Sequence, residues 1–250
     1  MAGRPTGSGS AACNQLVQRS KEGSLMATTH RRSGVITLCA LTLLAVSGCG
    51  NGGKASAPTT TPATPASSAA TQAYSSKALV VPLTVTVDAG LKSPPNPDSP
   101  NLLSWDAAAS EENKVRFLVP VELYRPGTST PVAPPKDYLT YLQGQARDGA
   151  ELSKVTKITV DGHPATLMNV TRTIDASHPE DFLDGSLGCP ERGADRAEGC
   201  FGPQPDLLLR LAVIDLGDTT LLAWARVNKD NPDQAFAAMF ERMLSSVRFR

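Results

Sequence analysis

Leu83, Val85 and Val87 alternate with Thr84, Thr86 and Asp88, the two-residue period of a half-buried strand. Val115, Phe117, Val119, Val121 and Leu123 repeat that period, and Pro120 among them points to an edge or a bulge. A proline-rich loop, Pro94-Pro95-Asn96-Pro97, lies between the two. Pro134-Pro135-Lys136-Asp137 then opens a helix in which Tyr138, Tyr141, Leu142 and Ala146 recur at i, i+3, i+4 and i+8, and Gly149 closes it. Strands over about 154–160 and 164–172 flank Asp161-Gly162, a pair suited to a hairpin turn because that backbone needs positive φ. A second hairpin joins 207–214 to 220–227 around Gly217-Asp218. Asn231 reads as an N-cap with Pro232 at the first helical position. Phe236, Met239, Phe240, Met243, Leu244 and Val247 follow at helical spacing, the strongest helix signal in the chain.

Hairpins with helices between and after them, without strict strand–helix alternation, predict an α+β domain: an antiparallel sheet with about two helices on one face. Residues 79–250 hold all of these elements and suit a single domain. Within it, 174–205 is a long loop without periodicity, and loops of that length in compact domains are usually binding elements or lids.

The chain before this domain reads as an address. Residues 35–46 are apolar, His30-Arg31-Arg32 precede them, and Ser47-Gly48-Cys49 follow. A positive flank, a short apolar run and small residues at its end make a secretory signal, whereas a spanning helix needs about 20 apolar residues. Val46-Ser47-Gly48-Cys49 resembles the lipobox of bacterial lipoproteins. That resemblance implies a diacylglyceryl group on the Cys49 thiol and cleavage before it, with acylation of the new amine (a palmitate-type chain) left open. An uncleaved anchor and a plain signal with a chance cysteine are the alternatives. Residues 1–48 are thus the signal peptide, and Met26 gives a more compact leader than Met1. Arg31-Arg32 raises twin-arginine export, but Gly34 and Val35 depart from the apolar pair that usually follows, which favours the ordinary secretory route. Two or three acyl chains suffice for stable attachment, so the expected location is the extracytoplasmic face of the cell membrane, anchored and not spanning.

From residue 49 to 78 the chain is Gly, Ser, Thr, Ala and Pro with scarcely a large apolar side chain. Such a stretch cannot bury enough surface to offset its ordering entropy and reads as a flexible, lipidated tether reaching about 30 Å. Thr59-Thr60-Thr61-Pro62 and Thr64-Pro65 resemble O-glycosylated stalks, and a bare linker fits the same composition. Cys13 and Cys39 leave with the signal, Cys49 takes the lipid, and Cys189 and Cys200 remain. An even remainder outside the reducing cytosol reads as one disulfide, since a zinc site would need two further ligands at close spacing. The whole chain balances 24 Lys+Arg against 24 Asp+Glu, and 49–250 alone carries about −4. With only 5% aromatic residues and no basic stripe, a nucleic-acid partner is excluded.

The order strand, strand, helix, hairpin, hairpin, final helix resembles the PsbP-like fold of LpqN/LpqT-type actinobacterial lipoproteins. So do Val160-Asp161-Gly162-His163-Pro164-Ala165 and the ending Phe240-Glu241-Arg242-Met243-Leu244-Ser245-Ser246-Val247-Arg248-Phe249. The resemblance implies a non-catalytic envelope domain and no particular ligand.

Candidate chemistry is sparse. His163 sits beside the Asp161-Gly162 turn; His178 lies in Asp175-Ala176-Ser177-His178-Pro179-Glu180-Asp181 with Asp184 behind, a spacing that matches no calcium or zinc template. Ser177 adjoins His178 without a nucleophile elbow, and no catalytic residue, metal or cofactor is assigned. The stronger claim belongs to the stapled loop, with Phe182, Leu183, Leu187 and Phe201 as a candidate recognition surface, or else as plugs for the core's edge. Three function classes follow. The first is an interaction module that presents this loop to another envelope protein or a wall component. The second is a carrier of a lipid or small apolar ligand with a pocket lined by Phe117, Leu142, Met168, Phe236 and Phe240. The third is a cell-wall hydrolase with His163 or His178 as base.

Overall fold

The computed structural model describes residues 71–250. The segment expected to be a signal peptide, Met26, Cys49 and the expected tether as far as residue 70 lie outside the described residues. In chain order the elements are strands β1 (Gln72–Ser75), β2 (Leu83–Val87), β3 (Leu102–Asp106), β4 (Lys114–Leu118), β5 (Leu123–Tyr124) and β6 (Pro131–Val132). Helix α1 (Tyr138–Gly144) runs into a 3₁₀ turn (Gln145–Asp148). Hairpin strands β7 (Ala150–Val160) and β8 (His163–Arg172), then β9 (Leu207–Asp215) and β10 (Thr220–Asn228), precede helix α2 (Gln234–Ser245) and strand β11 (Arg248–Phe249). The fold class is α+β, with every strand pairing antiparallel. Six strands form the main sheet in the order β3-β4-β10-β9-β8-β7, and β1-β2-β11 form a smaller one.

The main sheet is covered on both sides, because its central strands are apolar at successive positions. On β10, Leu221, Ala223, Ala225 and Val227 enter one core with Phe236, Met239, Phe240, Met243 and Leu244 of α2 and Leu83, Val85 and Val87 of the small sheet. Leu222 and Trp224 enter a second core on the opposite face, with Tyr138 and Leu142 of α1 and Leu187 of the long loop. The two helices therefore lie on opposite faces, not together on one. The signal was present in the apolar runs 207–214 and 221–227, since a strand buried on both faces loses its alternation. β3 went unread for the same reason: its first four residues are all buried.

Other boundaries shift for local reasons. The domain begins inside the segment read as tether, because β1 pairs with β2 and Tyr74 Oη donates to Asp98 Oδ2 at 2.5 Å. Burial and the Asp98 carboxylate push the Tyr74 hydroxyl up to about 12. The face expected to continue through 115–123 stops at Leu118; Pro120 ends β4, an interior strand between β3 and β10, and marks no edge. β7 starts at Ala150, ahead of 154, and bulges where Lys154 adopts φ 49° and the register shifts. The N-cap of α2 is Asp233, whose Oδ1 accepts from Phe236 N at 2.9 Å, whereas Asn231 sits in a turn closed by Asn228. Val247 follows the helix, and β11 returns to pair with β2. The Asp161-Gly162 turn has the positive φ values that its residues suggested, 49° and 83°. Among the described residues no helix is long and apolar enough to cross a membrane.

Candidate functional site

Seven residues of α-helix are about 10 Å long, whereas six strands side by side span about 24 Å. Helix α1 therefore cannot roof the second sheet face alone, and the 174–205 loop completes the cover. A loop laid on a core brings backbone carbonyls with it, and these need donors. Tyr138 Oη donates to Leu187 O at 2.7 Å, Tyr141 Oη to Ser186 O at 3.0 Å and Gln145 Nε2 to the same oxygen at 3.2 Å. At the loop's base Arg172, 1% exposed, donates through Nη2 to Pro179 O at 2.6 Å and through Nη1 to Glu180 O at 2.7 Å. Lone bridges Glu122–Cys189 and Gly188–Phe201 extend the strand pattern into the loop. Cys189 and Cys200 are joined across 4.2 Å between their Cα atoms. Gly202 passes so near the other limb that a Cβ there would lie 2.0 Å from Leu183 O.

For Leu183 and Leu187 this packing favours the second reading, plugs for the core's edge, over a recognition surface. Leu183 and Leu187 are fully buried beneath the loop and reach no partner. Phe182 is half-buried, its ring centroid 5.3 Å from that of His178; Phe201 is half-buried, edge-on to Trp224 at 5.4 Å. For Leu187 and Phe201 the physical reason is the sheet face that α1 is too short to roof, whose Trp224, Leu209 and Leu211 they cover. The carrier's lining fares no better: Phe117, Phe236 and Phe240 belong to the first core, Leu142 and Met168 to the second, and all five are buried.

The histidines are structural. His178 Nδ1 lies 3.0 Å from Asp175 Oδ1 and its Nε2 lies 3.2 Å from Arg147 O, so the ring ties the loop to the 3₁₀ turn. His163 packs edge-on against Phe249 at 5.1 Å. Among the described residues neither is hydrogen-bonded to a serine or threonine hydroxyl, and no group of three or more His, Cys, Asp or Glu is placed to hold a metal ion.

What the loop leaves open is polar. Where it meets the sheet, a small inner recess of about 40 Å³ is lined by Arg116, Arg226, Trp224, Phe201, Asp184 and Gln204. Asp184 and Gln204 also line an outer cleft of about 580 Å³, together with Glu180, Asp181 and Asp206. Arg116 stands opposite Trp224 across β4 and β10, and Arg226 lies two residues further along β10, so alternation puts all three on this face. Arg116 has its guanidinium carbon 4.6 Å from the Phe201 centroid, and its Nε donates to Ser104 Oγ at 3.4 Å. Arg226 Nε donates to Glu112 O at 2.8 Å. Among the described residues neither guanidinium forms an ion pair, unlike Lys114 with Asp106 or Arg196 with Asp181.

Burial lowers Arg116 to about 10, and repulsion from Arg226 adds to it against the opposing pull of Asp106. Burial lowers Arg226 too, opposed by Asp206, Asp106 and Glu112. Burial raises Asp184, against the attraction of Arg196 and Arg172. The recess thus holds two half-buried cations and one half-buried carboxylate, none of them in an ion pair among the described residues. Sequence reasoning missed the arginines because each stands between two core residues, in Val115-Arg116-Phe117 and Ala225-Arg226-Val227, where alternation points to solvent.

Neither a protein-family model nor a curated protein matches the chain. Among solved structures it is similar to the solution structure of cyanobacterial PsbP (CyanoP) from Synechocystis sp. PCC 6803. The identity is 12% and the TM-score 0.40, over 73% of this chain and 94% of that one. That likeness is loose, and the α+β assignment rests on the strand pairing of this chain itself.

Proposed function

We propose that the chain is an exported lipoprotein, acylated at Cys49 and held on the extracytoplasmic face of the membrane. Its folded domain is then a non-catalytic binding module for another envelope protein or a wall component. The lipobox and its flanking charge and apolar run support the anchor. The observation that carries the binding role is the pair Arg116 and Arg226, half-buried in a recess and neither of them in an ion pair among the described residues. Burying charge without a partner costs stability, so such groups are characteristic of sites that await one. The stapled loop serves that site as its wall and not as the contact itself.

Anchor and site have separate tests. Intact mass spectrometry of the chain extracted from its host's membranes is expected to show a species starting at acylated Cys49 and two hydrogens light. Cys49→Ser is expected to release the protein from the membrane, and retention of that variant sinks the anchor. For the site, soluble fragments of the host's wall are expected to raise the melting temperature of the native chain but not that of Arg226→Met. An equal rise in both places the binding elsewhere.

A further inference from the structure

Resting on that reading of the cleft, we infer the ligand's chemistry: a free carboxylate with an ammonium group a few bonds away, as in an amino acid or a peptide's end. The inner recess is small, so only a head group enters it, and what it offers there is two guanidinium groups, with the Asp184 carboxylate where it adjoins the outer cleft. With both Nε atoms committed to Ser104 and Glu112, the terminal nitrogens of Arg116 and Arg226 have no acceptor among the described residues. Paired forks of this kind suit a planar carboxylate, which accepts two parallel hydrogen bonds from one guanidinium and keeps its outer lone pairs for the other. Arg116 is also stacked on Phe201, which fixes the plane of its guanidinium and limits the rotamers it must surrender on binding.

The outer cleft has the opposite sign. Asp184 stands at the junction of the two spaces, and Glu180 and Asp206 face the wider one. Asp181 is partly spoken for by Arg196 Nη2 at 2.8 Å, and Arg172 is spent on loop carbonyls. A simple anion entering this cleft passes carboxylates before reaching the arginines, and a simple cation meets the arginines at the end. A bipolar ligand satisfies both poles, its carboxylate inward and its ammonium beside Asp184 and Asp206. The recess excludes the body of the ligand, so the selected group is terminal.

The test uses the full chain in detergent, with tryptophan fluorescence as a readout because Trp224 lines the recess. The probes are alanyl-alanine, its C-terminal amide, its N-acetyl form, free alanine and a neutral disaccharide. Alanyl-alanine or alanine is expected to bind at least tenfold more tightly than the amide, with the N-acetyl form in between. Free alanine matching the dipeptide identifies a small amino acid as the ligand, and a dipeptide preference identifies a chain end. Arg226→Met is expected to abolish the difference between acid and amide, while Arg116→Lys, which keeps the charge without the fork, weakens the acid alone. Asp206→Asn is expected to remove only the advantage over the N-acetyl form. Amide binding as tight as the acid, or disaccharide binding sensitive to Arg226, overturns the ligand class and leaves the cleft as the site. Acid binding unmoved by either arginine variant overturns both, and no binding by any probe at millimolar concentration overturns the ligand class.

Discussion

On its α2 side the six-stranded sheet presents Ala165, Ala212, Ala223 and Ala225 among leucines and valines; on its loop side it presents Trp224, Leu209 and Leu211 and then Arg116 and Arg226. The alanines let a helix approach closely, and α2 answers with five buried side chains and its own closed backbone hydrogen bonds. The other side is roofed by a short helix and an irregular loop, so the cover must be hydrogen-bonded into place by Tyr138, Tyr141, Gln145 and Arg172. The one recess that holds half-wet arginines between cover and sheet is on the loop side, among the described residues. One face therefore supplies cohesion and the other the recess proposed as a site, and both hang on the same strands.

The contrast is sharpest in the cost of truncation. Phe240, 0% exposed under α2, has no polar duty, and Phe240→Ala is expected to cost about 3–5 kcal/mol in denaturant unfolding. A loss under about 1 kcal/mol would mean that the α2 face is not where the stability lies. Replacing Cys189 and Cys200 together by serine releases an 11-residue closure, for which chain entropy gives about 3 kcal/mol. The loss is expected to be local as well. Amide exchange at 184–202 should quicken in the double variant while α2 keeps its protection, and uniform quickening would show one cooperative unit where two are described.

How much of this was legible in the chain follows the same division. Both hairpins, the two helices and the α+β class came from periodicity and turn residues, and the Asp161-Gly162 turn needed nothing else. Periodicity failed where both faces of a strand are buried, as in β3, and the opposite placement of the helices was legible only in the lost alternation of 207–214 and 221–227. It failed again for β1, a four-residue strand with three exposed residues that owes its place to β2 and Asp98. The loop's four apolar residues were visible, but whether they faced a partner or the sheet depended on the length of α1 relative to the sheet's width. Arg116 and Arg226 are far from the loop in sequence, and only strand register brings them to its edge.

Smaller changes separate the faces further. Asp233→Ala removes the acceptor for Phe236 N and should cost about 1 kcal/mol, with the deficit confined to the α2 side and peptide binding unchanged. If binding falls as much as stability does, the two faces are coupled through the shared strands.

The smallest effect is expected at Asp184 and carries the opposite sign. Burial raises its folded-state pKa above the unfolded carboxyl value of about 3.9, so the folded chain holds this proton more tightly than the unfolded chain does. Below about 3.9 both states are protonated and the group is neutral in its effect. As pH rises from there through the raised folded value, the native chain loses a little stability, because ionised Asp184 is desolvated at the recess. Asp184→Asn removes that charge and keeps the shape. Its unfolding free energy relative to the native chain should therefore rise across that window and stay level above it, with peptide binding weakened at neutral pH. A variant that is instead less stable at neutral pH would mean that Asp184, ionised, is held favourably by Arg172 and Arg196. It would then belong to the structural lattice of the loop and not to an open site on the sheet's second face.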